Sequence, residues 1–191
     1  MLRFSRYIKI IVAASVVVML ASYRSPDLEI GEKIDEYKGV TVHYNGAKYT
    51  RTFGRHISPN GYNLGLKYQC VEFVKRFYYE VYNHQMPNAF GNAKTFFDKA
   101  LPDKAFNKGR AMMQYRNVRT YKPQPNDLLI YDGYDGNPYG HVAIITKVGE
   151  DYIEVVQQNI GKQARIRIPL VNFMDYWTIA DYNILGWLRL E

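Results

Sequence analysis

A single cysteine in 191 residues leaves no material for a disulfide framework or a cysteine-rich zinc ribbon. No His/Cys/Asp/Glu group has metal-ligand spacing, and no Gly-rich loop leads into Lys-Ser or Lys-Thr to cradle phosphate, so neither metal nor nucleotide cofactor is expected. Surplus charge is also scarce where it would matter. The net charge is +7, but Arg3, Arg6, Lys9 and Arg24 place +4 of it in residues 1–24, where no acid occurs. The other 167 residues carry only +3, from 21 basic and 18 acidic side chains. That surplus excludes an argument for nucleic acid and reads as a mixed solvated surface, with at most a weak pull toward an anionic cell wall. Hydrophobic residues at 47% and charged residues at 23% exclude a disordered chain, a collagen and a multi-span membrane protein. At this length one domain, with or without a tail, is expected.

The N-terminus reads as an address. Arg3, Arg6 and Lys9 precede the apolar run Ile10–Ser22, a basic segment followed by a short hydrophobic one. As a helix that run spans about 20 Å against a hydrocarbon core of ~30 Å, so a secretory signal is favoured over a membrane span. No clean A-x-A closes it, and Leu20-Ala21-Ser22-Tyr23 has Tyr where a lipoprotein box carries Cys. Residues 1–22 are therefore a signal peptide or an N-terminal membrane tether through residues 10–22. Residues 23–34 are a linker and 35–191 the domain, exported to the periplasm or cell envelope and expected to be a monomer.

Within the domain, Val40–Tyr44 alternates as a strand and Asn45-Gly46 marks a turn. Residues 51–67, rich in glycine, read as a long loop. Tyr68–Tyr82 predicts a helix with Val71, Val74, Phe77, Tyr78 and Val81 on one face. Asn92–Ala100 predicts a second helix with Asn92 as N-cap. Residues 102–126 read as loops, and strands follow at 127–131, 141–148, 152–158, 164–169 and 184–190. Helices first and antiparallel strands second is an α+β layout.

Cys70 falls near the start of the predicted helix, where free N–H groups and the helix dipole favour a thiolate. A small buried hydrophobe is the ordinary reading of a lone cysteine. An unpaired thiol in an exported chain, at a loop-to-helix junction, reads instead as a nucleophile. His141 opens an apolar strand, Gly140-His141-Val142-Ala143-Ile144-Ile145, and imidazole is the usual base for cysteine. His43, His56 and His84 read as ordinary surface residues. Tyr62, Tyr68, Tyr131, Tyr134 and Tyr139 bracket the motifs, as aromatic packing or as a groove lining.

Gln69-Cys70-Val71-Glu72-Phe73, Gly140-His141-Val142-Ala143-Ile144-Ile145-Thr146 and Gln157-Gln158-Asn159 resemble the CHAP family of cysteine, histidine-dependent amidohydrolases/peptidases. This is an NlpC-type, papain-like group, and the likeness runs over roughly residues 35–191, nearest to the amidase domain of glutathionylspermidine synthetase/amidases. The resemblance implies N-terminal helices packed on an antiparallel β-sheet. It implies Cys70 as nucleophile, His141 as general base and acid, and Gln157 in the third position, where near relatives carry an acid. Asn159, two residues along, is the alternative orienter. Gln69 and the Cys70 N–H match the oxyanion site. Lys75 matches a substrate-binding basic residue, though without the guanidinium fork.

Three function classes follow. The first is an amidase or endopeptidase acting on peptidoglycan, favoured by export. The second is an amidase for a small glutathionylspermidine-type amide, favoured by the motifs. The third is a non-catalytic wall-binding module, favoured only by the neutral Gln157.

Overall fold

The computed structural model describes residues 27–191, so the expected signal or tether at 1–22 lies outside the described residues. Two small hairpins come first. β1 (Lys33–Tyr37) pairs with β2 (Val40–His43), and β3 (Arg55–Ile57) pairs with β4 (Asn63–Leu66). Lys33 and Ile34, assigned to the linker, are already in β1, and an ion pair from Arg165 to Asp35 fastens that strand to the domain. The stretch 51–67 is thus a hairpin rather than open loop.

One α-helix follows, α1 (Cys70–Tyr82), with Phe73, Val74, Phe77 and Tyr78 fully buried. Val71 and Val81 pack partly against the same core, as the spacing predicts. Asn83 ends the helix in the left-handed conformation, its N–H returning to Tyr79 O.

The remaining strands form one antiparallel sheet in the order β11-β10-β9-β8-β7-β12-β6-β5. They are β5 (Ala105–Asn107), β6 (Met112–Arg116), β7 (Leu128–Tyr131), β8 (His141–Val148), β9 (Tyr152–Val156), β10 (Arg165–Phe173), β11 (Tyr176–Ile179) and β12 (Ile184–Arg189). Both faces are apolar, which is why β7 and β8 read as continuous hydrophobic runs. Leu128, Ile130, Val142, Ile144 and Leu188 meet α1 on one side. Leu129, Ala143, Ile145, Val155 and Trp187 form a second cluster on the other, with Trp187 stacked on Tyr115. The fold is α+β and mostly antiparallel sheet, as expected.

The expectation of N-terminal helices in the plural needs correction. Among the described residues α1 is the only α-helix, and Asn92–Ala100 yields only a 3-10 turn at Ala93–Phe96. The reason is a tertiary competitor. The buried Gln114 side chain accepts from the Asp98 N–H at 2.9 Å and donates to Asp98 O at 2.8 Å, taking the two backbone groups a continuing helix would need. Gln114 lies on β6, inside the stretch 102–126 that was expected to be loop.

Candidate active site

Cys70 is the first residue of α1, with the extended Gln69 as its N-cap. The first-turn amides of a helix have no intrahelical acceptor. The N–H groups of Cys70 and Val71 therefore approach the sulfur, and so does the Val142 N–H from β8. The thiol thus lies against the head of β8, at the residue that follows His141. It is 8% exposed. Burial pushes its pKa up to about 11, and the three amides only partly offset that. The resting group is a thiol.

His141 opens β8 opposite Tyr131 of β7, and the two rings lie 5.6 Å apart. Gly140 makes the approach possible. Its φ is +74°, and a Cβ there would stand 2.5 Å from Tyr131 O and 2.8 Å from Lys94 Cβ. The Gln157 amide oxygen lies 2.9 Å from His141 Nε2, so Nε2 carries the proton and donates, leaving the Nδ1 lone pair free. Burial pulls the imidazole down to about 4, and the Gln157 contact offsets this only in part. The pair is neutral thiol and neutral imidazole.

Gln157 and Asn159 do not share a face, contrary to the strand alternation expected of them. β9 ends at Val156, and Asn159 has φ +72°. Asn159 turns away from His141, donating to Tyr49 O and Gln69 Oε1 and accepting from Asn45. Gln69 spends both amide protons on Tyr49 O and Arg51 O, at 3.0 and 2.6 Å, so its side chain offers no donor to an oxyanion in this arrangement. Gln69 and Asn159 instead fasten the 49–51 loop beside the cysteine.

Lys75 is 1% exposed and faces inward. Its ammonium donates to Asn63 O and Ala89 O and sits over the Tyr62 ring, with its pKa drawn down to about 8 by burial and then by Arg110 and Arg55. Buried and engaged by backbone carbonyls, the ammonium is not presented at a surface in this arrangement, contrary to the substrate-binding expectation.

Sequence reasoning missed the residues that hold the site. Glu72, 1% exposed, accepts from Arg76 Nε at 2.7 Å and Gln158 Nε2 at 2.9 Å, and pairs with His56 Nδ1 at 2.7 Å. Burial pushes this carboxyl up, but His56, Arg76 and Gln158 outweigh it and keep it below the usual carboxylate range. Gln158 also donates to Gln69 O and accepts from the His43 N–H. It thereby ties the strand end carrying Gln157 to the residue before Cys70. The Glu72 to Arg76 spacing of four was the available signal. His56 is not an ordinary surface histidine, since it closes this network.

A buried cysteine at a helix start and a strand-opening histidine held by an amide, on a helix-and-antiparallel-sheet scaffold, are the elements of a papain-like layout. The CHAP domain profile matches residues 59–159, a span that contains Cys70, His141 and Gln157, and the chain belongs to the CHAP family. It is 38% identical over 132 residues to trypanothione synthetase of Crithidia fasciculata, covering 66% of this chain and 20% of that protein. It is 29% identical over 138 residues to the bifunctional glutathionylspermidine synthetase/amidase of Escherichia coli (strain K12), covering 65% of this chain and 22% of that protein. The chain thus spans about a fifth of these relatives. The crystal structure of Ly7917 with the hydrolyzing product of MDP aligns over 38% of this chain and 30% of that one, at 30% identity and a TM-score of 0.27, too little overlap to bear structural argument.

Proposed function

We propose that the chain is a cysteine amidohydrolase in which Cys70 attacks an amide carbonyl and His141 moves the protons. The observation that carries this is the Cys70 thiol lying against Val142 of β8, the residue after an imidazole whose Nε2 is held by Gln157. Because both groups rest neutral, the His141 Nδ1 accepts the thiol proton as the Cys70 sulfur bonds to the carbonyl carbon. The tetrahedral oxyanion faces the Cys70 N–H. His141 then gives the proton to the leaving nitrogen, the C–N bond breaks, and a thioester remains. Water attacks the thioester with His141 as base, releasing the carboxylic product and the thiol.

The preferred substrate is an amide bond of peptidoglycan peptides, with the domain exported to the periplasm or cell envelope. This rests on the basic and apolar residues 1–22. A small amide of the glutathionylspermidine type is the second reading, favoured by the similarity to the bifunctional synthetase/amidase. The test incubates the purified protein and its Cys70→Ala variant with peptidoglycan and, separately, with glutathionylspermidine, and identifies the products by mass spectrometry. Shortened or released stem peptides, absent with Cys70→Ala, are expected. Cleavage of glutathionylspermidine alone would move the assignment to the second reading. Equal turnover by Cys70→Ala would overturn the mechanism.

A further inference from the structure

A cleft of about 500 Å³ opens beside the 3-10 turn, and Lys94, Lys99 and Arg110 line it together with Asp98 and Asp132. Lys94 joins it to the site already described, because Gly140, the residue before His141, packs on the Lys94 backbone and Cβ. Of the two acids in the cleft, one is paired with a cation and the other meets only a backbone N–H. Asp132 is paired with Lys99 at 2.6 Å, and Asp98 accepts the Ala100 N–H at 2.9 Å. Arg110 is different. It is 2% exposed, yet among the described residues no carboxylate pairs with it. Its guanidinium stacks on the Phe96 ring at 3.6 Å and donates only to backbone carbonyls, of Asn88, Phe90 and Thr95. Of its five N–H groups, Nε–H and one on Nη1 have no protein acceptor among the described residues. Burial lowers its pKa to about 10.

A buried cation is costly unless a counter-charge meets it. Carbonyls alone place the guanidinium without neutralising it. They hold the planar guanidinium at a cleft wall with both Nη2 hydrogens engaged, so that Nε–H and one Nη1–H, which point apart, are each left to meet an acceptor singly, a charge-assisted bond to a carboxylate being the strongest such contact. Lys94, half-buried on the rim nearest His141, supplies a second positive group.

We propose that this cleft is a carboxylate subsite, in which Arg110 and Lys94 hold an acidic group of the substrate while its scissile amide lies at Cys70. The inference rests on the amidohydrolase reading and specifies its substrate class as acidic amides. The two candidate substrates share such a group, since peptidoglycan stem peptides and glutathione conjugates both contain a γ-glutamyl residue with a free α-carboxylate.

The test uses calorimetry on the full chain carrying Cys70→Ala, so that ligands bind without turnover. One ligand pair is a γ-D-glutamyl stem tetrapeptide and its α-carboxamide; the other is glutathionylspermidine and its α-carboxamide. The acid of one pair is expected to bind at least about tenfold more tightly than its amide. The pair that shows the preference identifies the source. Lys94→Gln and Arg110→Lys should each shrink the ratio, and Lys94→Gln decides the matter if the buried Arg110 position does not tolerate change. Equal binding of acid and amide, or a ratio unchanged in Lys94→Gln, overturns the subsite. If no peptide binds, acetate is compared with chloride at equal ionic strength. An acetate-dependent rise in Tm lost in Lys94→Gln would keep the anion subsite and sink only the amidohydrolase reading, whereas no rise overturns the subsite as well.

Discussion

The Gln157 amide oxygen stands 2.9 Å from His141 Nε2, so a neutral group occupies the place from which a carboxylate would stabilise imidazolium. The contact fixes the tautomer and the ring plane and favours the charged ring too little to offset burial. Burial leaves His141 near 4 and Cys70 near 11, a pair that transfers its proton during attack rather than before it.

Exchanging Gln157 for a carboxylate should separate orientation from charge. In Gln157→Glu an opposite charge within hydrogen-bonding reach raises the His141 pKa, so the acidic limb of the kcat/KM profile should move to higher pH while activity at neutral pH is kept or raised. Gln157→Ala loses the orienting acceptor and should cost on the order of 10–100-fold. Asn159→Ala, which touches the 49–51 loop and not His141, should leave the acidic limb in place. An unmoved limb in Gln157→Glu would show that Gln157 does not act through the imidazole.

The Glu72–Arg76 pair makes a stability prediction. Both side chains are buried, and Glu72→Ala strands the Arg76 guanidinium, so a loss of about 3–5 kcal/mol is expected in urea unfolding. Adding Arg76→Met to Glu72→Ala should recover part of it. The carboxyl is held below its ordinary value of 4.5, so its contribution is present above that pH and is lost as pH falls through the lower folded value. The gap between wild type and Glu72→Gln should therefore narrow in acid. A gap constant down to pH 3 would contradict the assignment.

How far the sequence foretells this site depends on whether a residue acts locally or across the fold. Cys70 at a helix start and His141 at a strand start are legible, because caps and apolar periodicity are local signals. The split between Gln157 and Asn159 is not, because it turns on where β9 stops and on the left-handed backbone of Asn159. Gln114 breaks the apolar pattern of β6, yet it is buried because Asp98 and Asn107 satisfy it, contacts that no window of sequence contains. Lys75 misleads for the same reason. The resemblance matches it to a substrate-binding basic residue, whereas in the fold the carbonyls of Asn63 and Ala89 meet it.

Lys75 is accordingly predicted to support the fold and not the substrate. Lys75→Met leaves two carbonyl acceptors without their donor but also removes a buried cation, and a net loss of about 1–3 kcal/mol is expected. KM for any substrate found should stay within about twofold of wild type, a binding change of under ~0.5 kcal/mol. A raised KM with unchanged urea midpoint would reverse the assignment and return Lys75 to the binding site.

The imidazole gives a pH-dependent stability that a solvated histidine would not. The folded His141 has its pKa drawn from 6.5 to about 4, chiefly because burial disfavours the charged ring. Between those values the unfolded chain binds a proton at this residue and the folded chain does not. Unfolding therefore takes up about one proton there, and stability falls as pH drops from 6.5 toward 4. His141→Gln removes the titration. Measured by urea unfolding from pH 7.5 to 4.5, wild type should lose stability faster than His141→Gln, with the two curves diverging only below about pH 6.5. Parallel curves would mean that the ring protonates freely in the folded state. The resting site would then hold an imidazolium at mildly acidic pH, and proton transfer from the Cys70 thiol to His141 during attack would have no free lone pair to receive it there.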